Sequence, residues 1–183
     1  MRTTILILTL IAMVTSGLNL NAQSKKALIV YYSWGGNTRE IAEQIKSITG
    51  AEILEIVPAN AYPGDYDECV DQAKKEINSD FRPAIKTKIN NLKDYDVIYV
   101  GSPNWWSTIA PPVATFLSEN DLSGKTVVPF ITHGGGGKAK CFTDMQKLCS
   151  GATITEGLAI RDSRSKSSKA EVENWLKEIN MIK

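Results

Sequence analysis

The chain has 183 residues, of which 43% are apolar and 22% are charged, as in an ordinary globular domain. Its 21 basic and 20 acidic side chains give a formal net charge of +1, which excludes the strongly basic surface that attracts nucleic acid. One histidine and three cysteines are too few for a multi-ligand zinc site. Neither a G-x-x-x-x-G-K-[ST] nor an H-E-x-x-H motif occurs. The composition therefore predicts one domain without nucleic-acid binding or metal chemistry.

Residues 1–22 have the pattern of an export signal. Arg2 provides a positive start, and the apolar run from Ile5 to Val14 is too short to span the roughly 30 Å of a bilayer core. A polar stretch with small residues follows, so we predict cleavage after Ala22. The alternative, a buried first strand or helix, is disfavoured because a charged pair and a complete strand come immediately afterwards.

We therefore predict an exported protein, periplasmic or secreted, whose folded domain comprises residues 24–183. No cysteine ends the apolar run, so no lipid anchor is expected after the signal is removed. Loss of Arg2 would leave 20 basic and 20 acidic side chains, a net charge of zero.

The rest of the chain alternates between strand and helix patterns. Continuous apolar runs predict strands buried on both faces, and apolar residues three and four apart predict helices. In chain order, the predicted strands are 27–32, 51–57, 97–101, 126–132 and 152–160, the last broken near Gly157, and the predicted helices are 38–49, 65–77, 111–117, 138–149 and 168–179. This alternation indicates a parallel sheet with helices on both faces, the doubly wound α/β class.

Two further expectations concern cysteines and one segment. Cys141 and Cys149 lie eight residues apart in one predicted helix, about 12 Å along its axis, which is too far for a disulfide. We expect all three cysteines to be buried free thiols.

The segment from Glu156 to Ser167 is expected to be mobile and is assigned no role.

Ligands of doubly wound sheets bind beyond the carboxyl ends of the strands. Three loops then carry function, 33–38, 102–110 and 132–137. The first combines two hydroxyls, one amide and two glycines before a helix, namely Ser33, Thr38, Asn37, Gly35 and Gly36. Free backbone N–H groups and the helix dipole favour an anion there. Only Arg39 follows as a cation, so we predict a phosphate held mainly by neutral donors; the alternative is an ordinary glycine-rich turn.

The second loop contains adjacent tryptophans, Trp105 and Trp106. Neighbouring side chains of an extended segment diverge, so at least one should line a cleft where a flat aromatic ligand can stack. The alternative is one core tryptophan and one incidental surface tryptophan.

The third loop carries the only histidine, His133, between Thr132 and four glycines. Glycines let the backbone approach a ligand and offer its N–H groups to carbonyl oxygens or ring nitrogens. No aspartate or cysteine partner for His133 is visible, so a hydrolytic triad is not supported and its role stays open.

Taken together, three motifs in this order resemble the flavodoxin-like family, in particular its small bacterial branch. They are Tyr31–Thr38, then Gly101–Trp106 with Pro111–Val113, then Pro129–Gly135, and the resemblance spans nearly all of 26–182. It implies a three-layer, five-stranded doubly wound sheet of order 2-1-3-4-5.

The resemblance also implies noncovalent FMN. Its phosphate would lie on Ser33, Gly35, Gly36, Asn37 and Thr38, its isoalloxazine against Ser102, Pro103, Asn104, Trp105 and Trp106, and its pyrimidine edge near Thr132, His133, Gly134 and Gly135. Two residues depart from the family pattern. Gly35 replaces a hydroxyl residue of the phosphate turn, and Asn104 stands where an apolar residue is expected.

Flavodoxins that carry electrons are usually strongly acidic, whereas this chain is neutral. The resemblance therefore favours an FMN oxidoreductase that takes hydride from NAD(P)H or passes electrons to a quinone-like small molecule. The alternatives are a one-electron carrier serving a protein partner and a non-enzymatic binding module with weakened flavin affinity. No catalytic side chain, electron donor or electron acceptor is identified.

Overall fold

The computed structural model describes residues 25–183, so the predicted signal at residues 1–22 lies outside the described residues. The strands are β1 (Ala27–Tyr31), β2 (Glu52–Glu55), β3 (Val97–Trp105), β4 (Thr108–Ile109), β5 (Thr126–His133), β6 (Thr153–Ile154) and β7 (Leu158–Arg161). The helices are α1 (Asn37–Thr49), α2 (Tyr66–Asn78), α3 (Pro111–Glu119), α4 (Cys141–Leu148) and α5 (Lys169–Glu178), with 3-10 turns at Leu92–Asp94 and Asp162–Ser167.

The strands form one sheet of order β2-β1-β3-β5-β6, and neighbours on this path are parallel. β7 also pairs in parallel with β5, further along that strand than β6 does. When β6 and β7 count as one interrupted strand, the predicted doubly wound order 2-1-3-4-5 is confirmed. The sheet has seven strands rather than five because the fifth predicted strand is split and because β4 adds a short antiparallel partner to β3.

The fifth predicted strand is split at a glycine that packs closely against α4. The ring of Phe142 in α4 covers Gly157 so closely that a Cβ atom at this position would overlap the ring. The chain leaves the sheet there and returns as β7. The segment expected to be mobile, 156–167, therefore contains a strand and a 3-10 turn that packs against α1.

Both faces of the sheet are covered, which gives the three layers that the resemblance implies. On β3, Ile98 and Val100 face a core shared with α2, α3 and α4. Val97 and Tyr99 face the opposite core, which α1 and α5 complete. This alternation follows from the two-residue period of a strand, and each fully buried large apolar side chain contributes about 1.5–3 kcal/mol.

The three cysteines are buried and free, as predicted. In residues 25–183 no helix has the length and apolarity needed to cross a membrane. α4 begins at Cys141, three residues later than predicted, because residues 138–140 form a turn.

Candidate functional site

The three predicted loops meet at the carboxyl ends of β1, β3 and β5, around a cavity of about 200 Å³ that we call the polar cavity. Ten predicted site residues line it: Ser33, Gly35, Asn37, Thr38, Pro103, Asn104, Trp105, Thr132, His133 and Gly134. Residues separated by up to a hundred positions in the chain therefore face one space.

Four predicted site residues do not line this cavity. Gly36 is the N-cap residue just before α1 and has a left-handed conformation, with a φ of 88°, which favours glycine. Gly135 is exposed on the loop of residues 134–137, which we call the glycine loop. Trp106 lies in the turn between β3 and β4, and its indole N–H donates to the carbonyl oxygen of Val70 at 3.0 Å. These three residues shape or border the site from outside.

Ser102, the fourth, has a structural role instead. Its side chain is fully buried, and its hydroxyl donates to the carbonyl oxygen of Pro103 at 2.8 Å. Ser102 Oγ in turn accepts a hydrogen bond from the backbone N–H of Ala110 at 2.9 Å. Ser102 therefore ties the end of β3 to the residue that precedes α3.

The turn after β1 presents several donors without partners. Ser33 Oγ is buried and makes no hydrogen bond to the described residues. The first backbone bond of α1 runs from Glu40 N to Gly36 O, so the N–H groups of residues 37–39 lie before it, and no side chain caps the helix. The Asn37 carboxamide oxygen accepts from Ser165 Oγ at 3.0 Å, which leaves its N–H₂ group free to donate. Such a set suits an anion.

Arg39, the only cation close to this turn in sequence, is engaged elsewhere. Its Nη2 atom contacts both carboxylate oxygens of Glu55 at 2.7 and 2.8 Å. Among residues 25–183, neither lysine nor arginine lines the polar cavity. An anion bound there would depend on neutral donors.

The polar cavity contains one carboxylate that the sequence analysis missed, Asp162. Burial holds the pKa of Asp162 above its ordinary value, while the Thr132 hydroxyl and the charge of His133 act in the opposite direction. A signal was present, since Asp162 follows the last predicted strand at the sheet edge where the other loops begin. Because residues 156–167 were expected to be mobile, Asp162 was not assigned to the site.

Two hydroxyls join the first and third loops across the cavity. Thr38 Oγ1 and Thr132 Oγ1 lie 2.9 Å apart, and either one is able to donate. His133 Nδ1 is buried without a partner among the described residues. The structure thus adds Asp162 to the neighbourhood of His133, whose role the sequence left open.

A second space of about 310 Å³, the aromatic cavity, adjoins the polar cavity. The two share Trp34, Tyr66, Asn104 and Trp105. The remaining walls are Cys69, Val70 and Ala73 of α2 together with Trp106. Burial raises the pKa of the Cys69 thiol to about 11, so this side chain stays protonated, and the whole lining is uncharged at neutral pH.

The two adjacent tryptophans have different environments. Trp105 packs edge-on against Tyr32 and Tyr62, with ring centroids 5.6 and 5.0 Å away. Trp106 is about half exposed, and the Lys74 ammonium lies 4.6 Å from its ring centroid. Trp105 is therefore the fixed wall between the cavities, and Trp106 forms an outer rim.

Asn104, one of the two departures from the family pattern, has a structural role. Its side-chain Nδ2 donates to the carbonyl oxygen of Gly137 at 2.8 Å. The amide thus fastens the glycine loop to β3, which an apolar residue cannot do.

Replacing Ser33 or Ser102 with alanine should have different effects on the free energy of unfolding of the flavin-free protein. Ser33→Ala removes an unpaired buried hydroxyl, so stability should be unchanged or higher. Ser102→Ala leaves the buried Ala110 N–H without an acceptor, so stability should fall by about 1–3 kcal/mol. Urea denaturation of both variants measures the difference, and equal losses would contradict the assigned environments.

Comparisons with known proteins agree with this architecture. The sequence model of the flavodoxin family matches residues 26–179. A candidate flavoprotein from Bacteroides eggerthii is 31% identical, with a TM-score of 0.76, over 87% of this chain and 99% of that one. A flavoprotein from Lactobacillus acidophilus, solved in complex with FMN, is 30% identical, with a TM-score of 0.65, over 82% of this chain and 98% of that one. Because the family match covers most of its length, the chain belongs to the flavodoxin family.

Proposed function

We propose that this protein binds FMN noncovalently and acts as an oxidoreductase on a small molecule. The observation that carries the FMN assignment is the buried, unpartnered Ser33 hydroxyl facing a cavity with free helix N–H groups. The Lactobacillus acidophilus relative was solved with FMN, which supports the same ligand here.

The residues present fit both ends of FMN. Neutral donors of Ser33, Asn37 and the first turn of α1 would hold the phosphate. Asn104 and Trp105, on the wall shared by the two cavities, would hold the isoalloxazine. Bound FMN supplies one- or two-electron transfer, and the protein orients the ring and limits its contact with water.

The chain's own packing would keep the ring wall rigid. Trp105 is braced by two tyrosine rings, and the Asn104 amide is fixed to Gly137. His133 and Gly134 line the polar cavity, and we place the polar edge of the ring beside them. This arrangement would orient a flat heterocycle against Trp105.

The aromatic cavity supports a small-molecule acceptor over a protein partner. It shares a wall with the proposed ring site, and its lining is apolar or aromatic and uncharged. A flat, neutral, quinone-like molecule matches these walls. The chain also lacks the strong acidic charge that would steer a basic redox partner. We propose NAD(P)H as the electron donor.

The FMN assignment predicts a preference for the phosphorylated flavin. In fluorescence titrations of the flavin-free protein, FMN should bind at least about tenfold more tightly than riboflavin, because riboflavin lacks the phosphate. Ser33→Ala should weaken FMN binding about tenfold and leave riboflavin binding unchanged. Failure of both flavins to bind would contradict the proposal, and equal affinities would remove the phosphate role of the turn.

The acceptor assignment predicts that filling the aromatic cavity slows electron transfer to a quinone. Val70→Phe places a ring inside this cavity, and Asp71→Phe is the matched control at an exposed position of the same helix. Photoreduced, FMN-loaded variants are mixed with benzoquinone and followed by stopped-flow absorbance. Val70→Phe should react at least about tenfold more slowly, while its FMN affinity stays unchanged. Equal rates for both variants would place the acceptor elsewhere.

We also propose that residues 1–22 direct export to the periplasm or the medium. The support is the short apolar run from Ile5 to Val14 after a positive residue. The full chain expressed in a bacterial host should be recovered outside the cytoplasm with Gln23 at its N-terminus, as read by mass spectrometry. A chain that starts at Gln23 should stay in the cytoplasm. Recovery of the intact precursor in the cytoplasm would contradict export.

A further inference from the structure

A third cavity, which we call the basic cavity, lies between the C-terminal end of α2, the strand β4 and the helix α4. Its volume is about 290 Å³, close to the roughly 300 Å³ at which small-molecule sites begin. It shares no lining residue with the polar cavity or the aromatic cavity. It is therefore a separate space for a ligand.

Apolar side chains give this cavity a surface for a flat ring. Ile109 and Ala114 are buried at its wall, and Ile77 and Leu148 are partly buried beside them. Phe81 also lines the cavity, and its side chain is 52% exposed, so part of the ring is accessible to a ligand. Aromatic rings pack favourably against one another. The lining therefore fits a small aromatic group.

The charged side chains leave one cation without a partner. The lining contains three cations, Arg82, Lys140 and Lys147, and two carboxylates, Asp80 and Asp144, a net charge of +1. Arg82 contacts Asp80 at 2.7 Å, and Lys147 contacts Asp144 at 2.9 Å. Within residues 25–183, Lys140 makes no ion pair. Its ammonium group is therefore available to an anion.

Asp144 is already occupied by other donors. Its Oδ2 atom accepts from Thr108 Oγ1 at 2.7 Å, and its Oδ1 atom accepts from Lys147 Nζ at 2.9 Å. These two contacts use both carboxylate oxygens. Lys140 thus remains the cation that a ligand is able to pair with.

The backbone on both sides of the cavity is tied in place. The N–H group of Phe81 donates to the carbonyl oxygen of Glu76 at 2.9 Å, and that of Lys140 donates to Ser107 at 3.0 Å. Asp80, directly before Phe81, has a φ of 51°, an uncommon conformation for a residue other than glycine. A backbone that is already ordered lowers the entropic cost of binding.

We propose that the basic cavity is a second ligand site that binds a small aromatic carboxylate. The ring packs against Phe81 and the apolar wall, and the carboxylate pairs with Lys140. A single negative charge matches the one unpaired ammonium group, and hydrogen bonds between ionised groups are about twice as strong as neutral ones. The proposal does not depend on FMN binding, because the two sites share no lining residue.

The test is calorimetric titration at pH 7 with 2-naphthoate, on the protein with and without FMN. The controls are 2-naphthamide, which has the ring without the charge, and acetate, which has the charge without the ring. Naphthoate should bind at least about tenfold more tightly than naphthamide, and acetate should show no detectable binding. FMN should leave the affinity for naphthoate unchanged.

Two variants separate the charge from the ring. Lys140→Gln should weaken naphthoate binding about tenfold and leave naphthamide binding unchanged. Lys138→Gln is the matched control, because Lys138 is an exposed lysine two residues earlier that does not line the cavity. Phe81→Ala should weaken the binding of both ligands. Matching urea midpoints for the variants exclude unfolding as the cause.

Three results would overturn the proposal. They are the absence of naphthoate binding, an unchanged affinity in Lys140→Gln, and a loss of affinity in Val70→Phe, which would place the ligand in the aromatic cavity. Naphthoate binding that depends on Lys140 in a protein that binds no flavin would support this site and contradict the proposed FMN binding.

Discussion

The site depends on the register of the parallel sheet. β3 pairs with β1 and β5, and Tyr31, Gly101 and Phe130 lie side by side. The carboxyl ends of the three strands therefore lie at the same edge of the sheet, where Pro103 of β3 pairs with Thr132 of β5. This register requires a glycine at position 101, because a Cβ there would overlap the Phe130 ring and crowd Tyr31. A slip of one residue would turn each loop's side chains to the opposite face.

The polar and aromatic cavities at this edge of the sheet differ in the side chains that line them. Hydroxyls, amides and helix N–H groups gather near α1, while aromatic rings gather between α2 and the end of β3. Trp105 borders both regions, so a ligand with a polar end and a flat aromatic end is matched along its length. The division follows from topology, because α1 begins directly beyond β1 and α2 packs on the other face of the sheet.

Much of this arrangement was predictable because its signals are local. Apolar runs identified the strands of the sheet, and glycines with hydroxyls identified the turn at Ser33. The residues that escaped prediction depend on distant contacts. Ser102 looks like Ser33, a hydroxyl at a strand end, but it faces the core and binds Ala110. Asp162 reaches the cavity only because β7 pairs with β5 in a register that sets Arg161 beside His133.

The absence of cations from the described lining of the polar cavity gives each neutral donor a larger share of anion binding. In a site built on lysine or arginine, long-range attraction would dominate, and the orientation of one hydroxyl would change little. Here Arg39 is held by Glu55, and the acidic side chain that lines the cavity is that of Asp162. The same neutrality that argues against a protein-docking electron carrier thus makes the geometry of neutral donors, rather than long-range attraction, the basis for anion recognition at this turn.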